Sequence, residues 1–262
     1  MRIDVHGHIG LAAAGAAPAT RISLYASACR LDLVLISNSA AAPPPAGGDT
    51  SEVEANVATL AACQAHPRLA ALYWVRPGQL DSNVHAFTGA LRTEPFLGAA
   101  FAPAEGGFDA ADRLLDPYVA AVGAAGKPVF FCVSSDARAT PGKIHELARR
   151  HPKVSIVLCL CGAAEAPRAA ALDVVAYALR QQNADLYIDT SHAGAAEIAT
   201  AVGAVGAERV LFGTDALRRG DAHVPRHITL LDELRSALPA AQLDLVVGGN
   251  AARLLRLPTA AA

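Results

Sequence analysis

The chain has 262 residues, of which 53% are apolar and 18% charged, with a formal net charge of −2. That is ample for a sizeable core, in one large α/β domain as well as in two small ones. Basic residues never run beyond two or three in a row, so no nucleic-acid partner is expected, and no apolar stretch is long enough to span a bilayer, so no membrane partner is expected.

The N-terminus enters strand-like sequence at once, without a charged region, an apolar run and a cleavage site. Five cysteines, an odd number, do not read as a disulfide framework. A cytoplasmic protein with reduced thiols is expected.

Eight short runs rich in Val, Ile, Leu and Phe follow one another, at residues 2–8, 31–37, 69–75, 96–102, 128–134, 154–160, 186–191 and 209–215. Most do not alternate with polar residues, as in strands of a parallel sheet buried on both faces. Helical patterns lie between them. Ser51 precedes a run over 52–65 with Glu54 three positions on, a capping box. Residues 109–128 read as a helix ended by Gly126, with Pro128 opening the next strand. Residues 140–152 start with Pro141 in a first turn and stop before Pro152. Further helices are predicted over 166–182, 194–206 and 225–237.

Eight strand–helix units in this length predict a (β/α)8 TIM barrel, slightly distorted, as one α/β domain over 1–262. A doubly wound open sheet is the alternative, weakened because no Gly-x-Gly-x-x-Gly follows the first strand. The segment 41–50, "AAPPPAGGDT", reads as an exposed insertion in preference to a lid.

Residues two apart on a strand share a face, so Asp4, His6 and His8 are predicted to point the same way. Two imidazoles on one rigid strand make half of a tetrahedral zinc site. Asp215 ends the last apolar run, where a carboxylate is costly to bury unless it is paired or meets a metal. In a barrel the first and eighth strands are neighbours, so His6, His8 and Asp215 meet at the rim where barrel enzymes place their chemistry.

"IDVHGH", "LFGTD" and "VVGGNAARLLRL" together resemble the amidohydrolase superfamily. The resemblance is closest to its amidohydrolase-2 branch, which includes the aminocarboxymuconate-semialdehyde decarboxylase-like proteins. It extends over most of the chain and takes in "GFDAADRLLDPYVAAVGAAGKPVFF". It implies a distorted barrel, one divalent metal, usually Zn²⁺, and hydrolysis or decarboxylation of a small carboxylate-bearing molecule. His6, His8 and Asp215 are the ligands it implies.

The chain departs from that pattern at three places. The fifth strand, which usually carries a metal-binding histidine, has Cys132 there. Thiolate is a good zinc ligand, so Cys132 is a candidate fourth ligand, with a small apolar filler as the alternative. The sixth strand has Leu160 where the family has a histidine, and the fourth has only Ala100 and Ala102. In the family register Cys159 and Cys161 face the helices; a bulge would turn them inward.

His192 and His223 follow strands seven and eight in βα-loops and are candidates, with Asp215, for acid–base chemistry. Arg218 and Arg219 are candidates for holding a substrate carboxylate. His66, His145 and His151 read as structural or exposed. The rival reading is a metal-free lactonase-like or non-catalytic barrel. Either way a small molecule is the expected partner, and a homodimer is possible.

Overall fold

The computed structural model describes residues 1–10, 18–41, 50–78, 82–159, 165–216 and 222–258. Eight parallel strands follow in chain order: β1 (Ile3–Ile9), β2 (Leu33–Asn38), β3 (Leu69–Trp74), β4 (Phe96–Phe101), β5 (Val129–Cys132), β6 (Ser155–Cys159), β7 (Asp185–Asp189) and β8 (Val210–Leu211). The sheet closes on itself. Val5 N donates to Phe212 O at 2.9 Å and Ala216 N to His6 O at 3.0 Å. The result is a (β/α)8 barrel, the architecture expected from the alternating pattern.

The helices are α1 (Pro18–Ala28), α2 (Glu52–Ala65), α3 (Val84–Thr93), α4 (Pro103–Gly106), α5 (Asp116–Ala124), α6 (Pro141–Arg150), α7 (Glu165–Gln181), α8 (Ala195–Val205), α9 (His223–Ala237), α10 (Ala240–Asp244) and α11 (Asn250–Leu254). The capping box forms as read: Ser51 Oγ accepts from Glu54 N, and the Glu54 carboxylate accepts from Ser51 N. The predicted helix over 109–128 is instead a short 3-10 turn, Arg113–Leu115, followed by α5. Pro117 explains the break, since it belongs in a first turn and cannot supply an interior N–H. None of the described helices is long and apolar enough to cross a membrane.

Two apolar layers account for the unbroken hydrophobic strands. Val34, Ile36, Phe101, Phe131, Ile156 and Ile188 pack outward beneath the helices. Ile3, Val5, Leu35, Phe130, Val157 and Leu211 fill the barrel, and Ala251, Ala252 and Leu255 at its foot join the same inner cluster. Filled below, the barrel leaves the C-terminal ends of its strands as the place where polar side chains converge.

Candidate metal centre

Strict alternation would put Asp4, His6 and His8 on one face. The structure corrects this. Ile3 pairs with Leu33 and Asp4 with Val34, but the next pair is Gly7 with Ile36, so β1 carries one extra residue. A bulge of this kind re-aims the side chains beyond it. Ile3 and Val5 point into the barrel, Asp4 points outward to α1, and past the bulge His6 and His8 point inward.

Asp4 holds the bulge. Its Oδ1 accepts from His6 N at 3.0 Å and Thr214 N at 3.1 Å. Its Oδ2 accepts from Tyr25 OH at 2.8 Å and Thr214 Oγ1 at 2.5 Å. One carboxylate thus ties the strand bearing the histidines to the segment bearing Asp215. Burial pushes its pKa up to about 6, against these hydrogen bonds. Asp4→Ala is expected to destabilise the protein by about 1–3 kcal/mol for each backbone N–H left buried without an acceptor, read as a fall in the urea midpoint.

Inside the mouth, His6 Nδ1 lies 2.6 Å from Asp189 Oδ2 and 2.7 Å from Ser191 Oγ. A carboxylate only accepts, so His6 carries a proton on Nδ1. Burial works against a charged ring here, but the adjoining Asp189 carboxylate prevails and holds His6 well above the usual histidine range. His8 Nδ1 lies 2.9 Å from Ser37 Oγ, and its ring meets Trp74 edge-on at 6.0 Å. With both Nδ1 atoms engaged, the two Nε2 atoms face each other 2.9 Å apart. That spacing suits a proton or a metal ion shared between them.

Asp215 Oδ1 is aimed at the same point, 3.5 Å from His8 Nε2 and 3.9 Å from His6 Nε2. A sulfur atom lies beside the imidazoles: Cys132 Sγ and one ring nitrogen from each of His6 and His8 all lie within 4.8 Å of one another. In tetrahedral zinc sites nitrogens sit about 3.3 Å apart and nitrogen and sulfur about 3.6 Å apart, as bond lengths of about 2.0–2.1 and 2.3 Å dictate. The two imidazole nitrogens and Asp215 Oδ1 need only small adjustments to fit a divalent cation, and Cys132 would have to draw in beside the imidazoles to join them. The other carboxylate oxygen of Asp215 lies 2.9 Å from His192 Nε2. His192 and Asp215 both adopt left-handed backbone, at φ 64° and 55°, a conformation uncommon for non-glycine residues and concentrated at functional sites.

Cys159 does not face the helices. It belongs to the inner cluster, in register with Cys132 on the neighbouring strand. One ring nitrogen of His6, Cys159 Sγ and an Asp189 oxygen also lie within 4.8 Å of one another. Burial first, and the Asp189 carboxylate second, push the Cys159 thiol well above its ordinary range. Ala100 and Ala102 line the inner face as expected, beside Trp74.

His223 is not at the mouth. It is fully buried behind the sheet, 3.0 Å from Thr214 Oγ1 and packed against Tyr25 and His227. Leu160, Cys161, Arg218 and Arg219 lie outside the described residues. His66, His145 and His151 bond to Thr20, Asn183 and Asp116, away from the centre. Sequence reasoning missed Asp189, Ser191 and Ser37. The signal for Asp189 was present, since "LYID" places a carboxylate at the end of an apolar run just as "LFGTD" does.

Two histidines with a carboxylate and a thiol beside them at the mouth of a (β/α)8 barrel define a candidate mononuclear metal centre. The chain belongs to the amidohydrolase family (Amidohydro_2), whose model matches residues 3–257. A comparison with curated proteins finds no match. Among solved structures, 5-carboxyvanillate decarboxylase from Sphingomonas paucimobilis is 16% identical, with TM-score 0.73 over 98% of this chain and 99% of that one. A 4-oxalomesaconate hydratase from Rhodopseudomonas palustris is 14% identical, with TM-score 0.71 over 98% and 96%. A dihydroxybenzoic acid decarboxylase from Polaromonas sp. JS666, with bound manganese and the inhibitor 2-nitroresorcinol, is 15% identical, with TM-score 0.69 over 99% and 98%. At these identities the likeness is one of fold.

Proposed function

We propose that the protein is a metal-dependent enzyme acting on a small, flat carboxylate, with decarboxylation the favoured reaction and hydrolysis the alternative within the same class. The convergence of His6 Nε2, His8 Nε2 and Asp215 Oδ1 carries this reading. These residues, with Cys132, would hold one divalent cation, for which the thiol favours zinc. When bound, the cation would supply positive charge to a substrate oxygen and polarise the adjoining bond. Two of the three structures described above are decarboxylases by name, one of them solved with manganese.

The protein's own groups supply the rest. Trp74, Ala100 and Ala102 form an apolar wall on β3 and the end of β4, opposite the polar groups of β1, β7 and Asp215. A flat molecule with one charged end suits such a divided mouth. In decarboxylation the bond to the carboxylate carbon breaks, carbon dioxide leaves, and the electron pair stays on a carbon that must take a proton. His192, which bonds Asp215 at 2.9 Å, is the group proposed to deliver it. Arg218 and Arg219 are proposed to bind the carboxylate.

Metal analysis of protein purified without chelator tests the reading. About one zinc or manganese per chain is expected, and near-zero metal with no gain on adding either would remove it. His192→Ala is expected to lower kcat by about 10²–10⁴-fold, read at saturating metal because the variant also loses a partner of Asp215 Oδ2. A metal-free barrel is the second reading, favoured by the alanines and thiols where the family has polar side chains. It would be supported if His6→Ala left both metal content and turnover untouched.

A further inference from the structure

The opposite end of the barrel holds a second concavity that the candidate metal centre does not use. It is a recess of about 250 Å³ at the foot of β5 and β6, closed on one side by α11 and its C-terminal turn. Lys127, Lys153, Arg253 and Arg256 line it, with Ser155 and Tyr187. In a chain of net charge −2, this is a local concentration of positive charge.

Among the described residues no carboxylate pairs with any of the four. Lys127 Nζ donates to the carbonyl of Leu91, and Arg253 to the Glu208 carbonyl and Asn250 Oδ1, all neutral acceptors. The carboxylate nearest in sequence order along the strand feet, Asp185, is already taken by Arg209 and Ser155. Lys127 is half-buried and Lys153, Arg253 and Arg256 are exposed around it, so the four charges ring a concavity, a setting that focuses their field.

A backbone feature points the same way. Arg256 adopts left-handed backbone at φ 53°, a strained state for a residue with a side chain. Its guanidinium lies close over Gly126, itself at φ 66°; a Cβ there would sit 2.5 Å from Arg256 Nη1. Both residues directly follow helices, Gly126 after α5 and Arg256 after α11, where a left-handed residue closes the last turn, and these two helix ends set the guanidinium at the edge of the recess.

We propose that the recess is a binding site for a small phosphate-bearing anion. Guanidinium and ammonium groups around one concavity match a tetrahedral, multiply charged oxyanion through charge-assisted hydrogen bonds. A volume just below the roughly 300–1,000 Å³ of drug-sized pockets suits a small ligand and not a macromolecular surface. An occupant would bridge α11 to the feet of β5 and β6.

The test is calorimetric titration of the full-length protein with pyrophosphate and with inorganic phosphate, at ionic strength matched with sodium chloride, beside melting curves in the same solutions. Saturable binding of pyrophosphate is expected, with a concentration-dependent rise in Tm that chloride does not give. Lys153→Ala and Arg256→Gly are each expected to weaken it at least tenfold. Arg256→Gly also relieves the left-handed strain, so its Tm without ligand should equal or exceed that of the parent, which separates loss of binding from loss of fold. Binding that persists in the double variant, or that citrate shows and pyrophosphate does not, would overturn the proposal. So would the absence of any response beyond that to chloride.

Discussion

His8→Ala is expected to abolish the metal binding proposed for the barrel mouth while leaving the barrel folded. The change removes one of the two Nε2 atoms that face each other at 2.9 Å, and Asp215 Oδ1 loses the closer of its two imidazole neighbours, at 3.5 Å. Removing even a supporting group typically costs about 10–100-fold in metal affinity, so loss of a direct ligand should exceed about 100-fold. His8 is the cleaner choice than His6, because its Nδ1 lies against the neutral hydroxyl of Ser37, whereas loss of His6 would also take the imidazole from the buried carboxylate of Asp189. Competition with a chromophoric chelator gives the affinity, and a melting curve reports the fold. Zinc held as tightly by the variant as by the parent would sink the assignment of this centre. Cobalt in place of zinc adds a test of Cys132: a thiolate charge-transfer band is expected in the parent and should vanish in Cys132→Ser.

The barrel was legible because its strands are buried on both faces. Apolar runs such as those of β4 and β6 need no alternation to declare themselves, and the helices between them set the parallel order. The rim was legible where residues end such a run. Asp215 was found that way, and Asp189 could have been. What periodicity could not show is phase. A single extra residue in β1 turns Asp4 outward while His6 and His8 turn inward, so the two histidines share a face as expected and Asp4 does not share it with them. The bulge depends on a buried carboxylate reaching Tyr25 and Thr214, partners 21 and 210 residues away that no local pattern announces.

The same lesson applies to β6 and to the loop residues. Taking the family's histidine position as inward-facing put Cys159 on the helix side, whereas pairing with β5 sets it beside Cys132 in the barrel. His223 looked like a loop histidine near the mouth. It begins α9 and packs behind the sheet against Tyr25 and His227, since an imidazole next to an apolar helix face is as readily buried as exposed. Gly213 of "LFGTD" has its reason only in three dimensions: a Cβ there would lie 2.8 Å from Asp189 Oδ2. The motif's glycine makes room for a carboxylate on the neighbouring strand.

That carboxylate supports the second large expected effect. Asp189→Asn should lower metal affinity by about 10–100-fold, as loss of a ligand's hydrogen-bonded carboxylate generally does. Asp189 Oδ2 accepts from His6 Nδ1 at 2.6 Å and Ser191 Oγ at 2.7 Å, while Oδ1 accepts from Ser191 N at 3.2 Å. An amide has one acceptor oxygen, so whichever way it turns, its NH₂ group faces a former donor. The charge that favours the imidazolium also goes, so the pH at which His6 loses its second proton should fall. Freed from an obligatory acceptor, His6 can move its remaining proton from Nδ1 to Nε2, which blocks the nitrogen that points into the mouth. Nitrogen NMR of the metal-free protein, recorded above the pH at which the ring loses its second proton, reads this directly as a change of His6 tautomer, a signal that mere loosening of the fold would not produce. An unchanged tautomer together with an affinity within about threefold of the parent, well short of the usual loss, would mean that Asp189 is a bystander to the centre.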